Sequence, residues 1–84
     1  MNERQALRRI KQLVAGGWVT FTEHAIEEMH DEFTTVAEVL HALKVAMVCA
    51  EQPNGRWRVS GGAGLTVIVE IQEDVVVVTV YGRT

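Results

Sequence analysis

The spacing of apolar residues in the first half of the chain predicts helices. An amphipathic helix is expected over residues 3–15, where apolar residues recur every three or four positions, and Gly16-Gly17 ends it. A second helix is expected over about residues 23–31, because the Thr22 side chain can cap its first turn. The apolar residues of the two helices are Ala6, Leu7, Ile10, Leu13 and Val14, then Ala25, Ile26 and Met29, with Phe33 beyond the second helix.

A capping-box pattern marks the start of a third helix. Thr35 and Glu38 have the spacing at which each side chain can bind the backbone of the other residue. The apolar positions of this helix are Val36, Val39, Leu40, Leu43 and Met47. One core is expected to contain Leu40, Leu43, Val67, Val69 and Val77.

From Val48 onwards the repeat shortens to two residues, which is typical of strands. The turn residues Pro53-Asn54-Gly55 predict a hairpin, and Gly61-Gly62-Ala63-Gly64 predict a second turn. The predicted strands cover residues 47–51, 56–60, 65–71 and 75–81. We therefore expect one α+β domain over residues 1–84, with N-terminal helices packed on a four-stranded, mostly antiparallel sheet in the order α-α-α-β-β-β-β.

The distribution of charge along the chain is more informative than the net charge. The net charge is −3, which argues against a broadly basic nucleic-acid-binding protein. Residues 12–43 contain six acidic residues and no lysine or arginine, whereas residues 1–11 contain four basic residues and one acidic residue. Two separate surfaces for two partners would produce this division, and so would chance.

Hydrophobicity and cysteine content set an expectation for the compartment. No apolar run approaches the ~18 residues of a membrane span, and the charged N-terminal segment does not resemble a secretory signal. The single cysteine, Cys49, has no partner for an internal disulfide, and its apolar neighbours indicate a buried, unreactive thiol. We expect a cytoplasmic protein without a membrane partner.

The segment FTEHAIEEMHDEFTT, residues 21–35, carries the first candidate for chemistry. On a helix, Glu27, Glu28 and Asp31 share a face with His24, while His30 points elsewhere. The two histidines therefore do not form a metal-ligand pair, and neither a metal nor a cofactor is expected. A solvated acidic face explains the carboxylates, so a structural role for His24 and a role as general base both remain open.

The second set of candidates lies on the predicted strands. Alternation puts Arg56 and Arg58 on one face of the sheet, opposite Trp57, and puts Thr79 and Tyr81 together on one face. Two guanidinium groups can hold a phosphate, and the two hydroxyl groups can orient or protonate an oxygen beside it. An exposed strand face and an aromatic side chain at the rim of the core are the alternative interpretations.

The order of these features resembles the domain-of-unknown-function family numbered 4258. The resemblance covers residues 18–82: F-T-x-H-A-x-x-x-M, a D-x-x-T-x-x-x-V-x-x-x-L-like helix, G-R-W-R-V-x-G and a V-V-V-x-T-V-Y strand. It implies a toxin-like α+β module, often encoded beside a zinc-finger antitoxin and related to RelE- and MqsR-type mRNA interferases. The family's functional positions map to His24, Arg56, Arg58, Thr79 and Tyr81. Many members carry an arginine after the histidine helix, where this chain has residues 30–32, His-Asp-Glu.

Two functions follow as expectations. The first is a metal-independent, ribonuclease-like toxin of a type II toxin–antitoxin system, with RNA and a zinc-finger antitoxin as partners. In this hypothesis His24 is the base or acid, Tyr81 and Thr79 assist, and Arg56 and Arg58 hold the phosphate. The alternative is a non-catalytic interaction or regulatory module, a degenerate toxin that binds through its basic first helix or a sheet edge. The net acidity of the chain and the missing arginine favour this alternative, whereas the co-occurrence of His24, two arginines and Tyr81 favours the enzyme.

Overall fold

The computed structural model describes residues 1–61 and 64–81 and shows an α+β fold, as predicted. In chain order its elements are α1 (Glu3–Ala15), β1 (Val19–Phe21), α2 (Glu23–Asp31), α3 (Val36–Val45), β2 (Val48–Glu51), β3 (Trp57–Ser60), β4 (Thr66–Ile71) and β5 (Val75–Tyr81). The three helices and the last four strands lie within a residue or two of the predicted ranges. Two residues of the predicted second turn, Gly62 and Ala63, lie outside the described residues.

Side-chain caps fix where the helices begin. Asn2 accepts a hydrogen bond from the Gln5 amide (2.8 Å), and Thr22 accepts one from the Ala25 amide (3.1 Å). The predicted capping box of α3 is present, because the Thr35 hydroxyl accepts from the Glu38 amide and the Glu38 carboxylate accepts from the Thr35 amide. These bonds satisfy amides that have no partner within the helix, so the chain must turn into each helix at that residue.

The sheet has five strands, in the order β1-β5-β4-β3-β2, so the predicted four-stranded sheet was wrong by one strand. The missed strand, β1, lies in the segment Trp18–Phe21 and pairs parallel with β5, while all other pairs are antiparallel. Three residues are too few to show an alternating pattern. The partner of β1 is distant in sequence, since Val19 pairs with Val75, and local periodicity does not report such a pairing.

One face of the sheet, which we call the inner face, is covered by α1 and α3. Alternate strand residues are buried there, including Trp57, Val59, Val67, Val69 and Val77. Gly61 lies against α3 so closely that a Cβ atom would stand 2.6 Å from the Ala42 Cβ. The small residues Ala42 and Gly61 therefore let this helix approach the end of β3.

The buried sides of α2 and α3 differ in part from the prediction. Ile26, Phe33, Val36 and Met47 are exposed, whereas Ala25 and Met29 of α2 are buried as expected. Helix α3 buries Val39, Ala42 and Leu43, and Leu40 is only partly buried against the core. The prediction weighted large apolar residues, but close packing of α3 on its neighbours turns its small residue Ala42 inwards.

Truncation of α3 tests this orientation. Leu43→Ala removes a side chain with no exposed surface and should cost about 2–5 kcal/mol of unfolding free energy, because a cavity is left in the core. Leu40→Ala should cost less, and Val36→Ala should stay within about 0.5 kcal/mol. Urea denaturation of the three variants measures the order. A larger loss for Val36→Ala than for Leu43→Ala would contradict the packing of α3.

Candidate functional site

A bulge in β5 decides which residues reach the open side of the sheet. Ile68 of β4 pairs with Thr79, but the next residue, Val69, pairs with Val77. Val78 is therefore an extra residue with no counterpart on β4, and alternation along β5 changes sides there. Val77 and Val80 both face the core, so Thr79 faces away from it.

The side of the sheet opposite the helices, which we call the outer face, collects three of the predicted site residues. Strand pairing places Arg58, Ile68 and Thr79 in one row across β3, β4 and β5. The next row leads from Ser60 through Thr66 to Tyr81 on the same three strands, and half of the Tyr81 side chain is exposed (51%). Two strand spacings separate the backbones of Arg58 and Thr79 by ~10 Å.

The two predicted arginines have different surroundings. The Arg56 Nε lies 3.5 Å from the Glu70 carboxylate, an ion pair at the surface of the sheet. Arg58 is exposed and makes no ion pair or hydrogen bond through its side chain within residues 1–61 and 64–81. The alternation predicted around them holds, since Trp57 and Val59 are buried on the inner face. Of these two arginines, Arg58 is therefore the one whose guanidinium group has no acidic partner within the described residues.

Helix α2 occupies the edge of β5 that β1 leaves unpaired. β1 pairs with β5 only as far as Val77, where the Thr22 amide donates to the Val77 carbonyl oxygen (3.0 Å). The Thr22 hydroxyl donates to the next carbonyl oxygen, that of Val78 (3.3 Å), and the Val80 amide donates to the Glu28 carboxylate (3.1 Å). Side chains of α2 thus replace a neighbouring strand along the second half of β5.

This attachment places His24 beside the edge of β5. Its Nε2 lies 3.3 Å from the Glu28 oxygen that accepts the Val80 amide, and its side chain is 64% exposed. Ala25 and Met29 face the core, and Glu28 faces the edge of β5. His24 lies about 40° further round the helix from Glu28, on the side away from Ala25. His24 therefore lies on the side of Glu28 away from the core, and Glu28 links it to the part of β5 that carries Thr79 and Tyr81.

Glu28 is a candidate site residue that the sequence pattern does not distinguish from its acidic neighbours. Four acidic residues in α2 look alike in the sequence, yet Glu28 is half-buried and contacts both His24 and the backbone of β5. Its position four residues after His24 was the available signal, because side chains at this spacing meet on a helix. The hydrogen bond to Val80 depends on the tertiary structure and could not be predicted from the local sequence.

Other side chains that could take part in chemistry contribute little to this site. Among the described residues, no group of three or more His, Cys, Asp or Glu side chains could hold a metal ion. The buried Cys49 thiol donates to the Glu3 carbonyl oxygen (3.1 Å), and burial, with the nearby Glu3 carboxylate, raises the pKa of Cys49 above its usual value. No helix in the described part of the chain is long and apolar enough to cross a membrane.

Comparisons of the chain with protein-family models, with curated proteins and with solved structures gave no match. The resemblance to the family numbered 4258 therefore stays a prediction from the sequence motifs, and the function must be argued from the geometry of the outer face.

Substitution of Glu28 tests the attachment of α2 to β5. Glu28→Ala leaves the Val80 amide without an acceptor, which should cost about 1–3 kcal/mol and speed hydrogen exchange of that amide. Glu28→Gln is the matched control, because its side-chain oxygen can still accept the bond. Equal protection of Val80 in the wild-type chain and in Glu28→Ala would contradict the contact.

Alkylation of Cys49 tests its inertness. The thiolate is the reactive form, so a buried thiol with a raised pKa reacts slowly. At mildly alkaline pH, the rate of reaction with iodoacetamide should be lower by a factor of roughly ten or more in the folded chain than in urea. Mass spectrometry follows the reaction. Equal rates in the folded and unfolded chain would show an accessible thiol.

Proposed function

We propose that the chain is a metal-independent, ribonuclease-like toxin that binds and cleaves RNA on the outer face of the sheet. The observation that carries the proposal is the bridge from His24 through Glu28 to the Val80 amide. It couples a histidine, the side chain best suited to proton transfer near neutral pH, to the part of β5 that presents Thr79 and Tyr81.

The reaction requires a base, an acid and positive charge, and no bound metal. The 2′-hydroxyl of a ribose forms a bond to the adjacent phosphorus while the bond from phosphorus to the 5′ oxygen breaks. His24 takes the proton of the attacking hydroxyl through Nδ1, since Nε2 faces Glu28. Glu28 orients the imidazole through its contact with Nε2, as a carboxylate does for a catalytic histidine. The Tyr81 hydroxyl donates a proton to the leaving oxygen, and Thr79 positions the phosphate.

The position of Arg58 assigns it a phosphate adjacent to the reacting one. Its backbone lies two strands from Thr79, and the nearly buried Ile68 occupies the place between them. A short single strand of RNA crossing the outer face would place one phosphate near His24 and the next near Arg58. The half-exposed Tyr81 ring offers a surface on which a base can stack.

Charge on α2 sets the direction of the RNA. Glu27 and Asp31 lie on the same side of the helix as His24 and repel phosphates beyond it. The RNA therefore runs from His24 towards β3, across the sheet, rather than along α2.

One observation favours the alternative, a non-catalytic interaction or regulatory module. The ion pair between Arg56 and Glu70 leaves Arg58 without the second free guanidinium that the sequence predicted. A degenerate toxin that has kept its fold would have such a face. Both functions predict a protein partner, and the zinc-finger antitoxin and the cytoplasmic location stay predictions from the sequence.

Cleavage of an RNA oligonucleotide in the presence of EDTA tests the enzymatic proposal. His24→Ala should lower the rate by about 10²–10⁴-fold, the usual contribution of a general acid or base. His30→Ala is the control, because His30 is exposed on the same helix but lies about 120° round it from His24. Loss of activity in both variants, or in neither, would contradict the assignment to His24.

The arginines make a second comparison on the same assay. Arg58→Ala should reduce cleavage more than Arg56→Ala, since Arg56 is already engaged with Glu70. Both variants should melt within a few degrees of the wild-type chain because they change surface side chains. A larger effect of Arg56→Ala would move the phosphate-binding role from Arg58 to Arg56.

Growth of a bacterial host reports the same activity in cells. Expression of the wild-type chain should slow growth, whereas expression of His24→Ala should leave growth normal. Co-expression of an antitoxin encoded beside the wild-type chain should restore growth. Normal growth with abundant soluble wild-type chain would favour the non-catalytic interaction module.

A further inference from the structure

A basic groove lies between α1 and the junction of α3 with β2. It is a cleft of about 630 Å³. Arg4, Arg8 and Lys11 form one wall, within an arc of about 60° on α1. None of the three makes an ion pair within residues 1–61 and 64–81. Three unpaired cations in a row indicate an anionic partner.

The opposite wall of the groove is apolar and exposed. It contains Met47 and Val48, whose side chains are 82% and 60% exposed, at the start of the edge strand β2. Exposed apolar side chains beside a row of cations match a partner surface that is both acidic and apolar.

The end of α2 has that composition. Phe33 is 92% exposed and adopts a left-handed backbone conformation (φ 52°). The Thr34 amide bonds to the Met29 carbonyl oxygen and the Phe33 amide to that of His30, which is the helix ending in which glycine usually takes the position of Phe33. A bulky aromatic residue in a strained position, fully in solvent, indicates a role outside the folding of its own chain.

Acidic residues accompany the exposed apolar residues of α2. Ile26 is exposed, with Glu23 one turn before it and Glu27 next to it in the sequence, and both acidic residues are also exposed. The segment from Ile26 to Phe33 contains eight residues, as does the segment from Arg4 to Lys11. We call these exposed residues of α2 and its C-terminal end, Glu23, Ile26, Glu27 and Phe33, the acidic knob.

We propose that the acidic knob of one copy of this chain binds the basic groove of another. Glu23 and Glu27 meet the cations of α1, while Phe33 and Ile26 cover Met47 and Val48. The knob flanks β5 and the groove flanks β2, which stand near opposite ends of the sheet. Each copy therefore offers both surfaces at once, and association proceeds head to tail rather than closing as a two-fold dimer.

The groove fits a protein surface better than a nucleic acid. Glu3 lines it together with the three cations, and no aromatic side chain is available there for stacking bases. The groove is a basic patch on a chain whose net charge is −3, so an acidic patch on a second copy complements it in charge. This inference does not depend on the ribonuclease-like function.

Sedimentation of the purified chain at increasing concentration tests the association. The average mass should rise above that of the monomer as concentration increases, and high salt should reverse the rise because charged groups contribute to the contact. A monomer at every concentration and low ionic strength would overturn the proposal.

Two single variants sharpen the test. Phe33→Gly removes the apolar end of the knob and should raise the melting temperature, since glycine adopts the left-handed conformation without strain. Met47→Asp places a negative charge in the groove. Each variant should remain monomeric, whereas Trp18→Ser, a change at an exposed aromatic residue outside both surfaces, should associate like the wild-type chain.

A mixture of the two variants separates head-to-tail binding from other modes. The Met47→Asp chain retains its knob and the Phe33→Gly chain retains its groove, so an equal mixture should form a 1:1 complex that grows no further. Absence of this complex would overturn the proposal. So would loss of RNA binding in Met47→Asp without any change in self-association, because the groove would then serve a nucleic acid.

Discussion

The extra residue in β5 is the constraint on which the open face of this protein depends. Without it, alternation would carry the inner side from Val75 and Val77 to Thr79 and Tyr81, and two polar side chains would enter a valine-rich core. The bulge at Val78 moves Val80 into the core instead and turns the hydroxyl groups outwards. One irregular residue therefore supplies both a continuous core and a polar row on the outer face.

The second half of β5 also determines where α2 sits. On the edge away from β4, the backbone groups of β5 beyond Val77 have no strand partner. An unpaired strand edge of this kind promotes association with other chains. Thr22 and Glu28 satisfy part of this edge through the Val78 carbonyl oxygen and the Val80 amide. The same carboxylate contacts His24. A hydrogen bond that completes the fold thus also orients the side chain that we assign to catalysis.

Features that depend on residues close together in the chain were predictable from the sequence. The caps at Thr22 and Thr35, the helix ranges and the burial of Trp57 followed from spacing and propensity alone. Features that depend on pairing between strands far apart in the sequence were not predictable in this way. β1 is three residues long and pairs with β5 far along the chain, and the bulge follows from the register of β5 against β4. Neither feature changes the local pattern of residues.

The candidate site divides in the same way. That Thr79 and Tyr81 share a face was predictable, but which face they occupy depends on the bulge. The pairing of Arg56 with Glu70 joins residues on different strands and distinguishes two arginines that look equivalent in the sequence. Glu28 likewise became separate from its acidic neighbours only through its contact with β5.

Titration of the isotopically labelled chain with a short RNA analogue that lacks the attacking 2′-hydroxyl tests the central claim most directly. The analogue can bind but cannot react, so nuclear magnetic resonance shifts report where it lies. We expect shifts of the His24 ring on α2, of the Arg58 side chain on β3, and of the amides of Thr79 and Tyr81 on β5. Shifts confined to Arg4, Arg8 and Lys11, or none at saturating analogue, would contradict it.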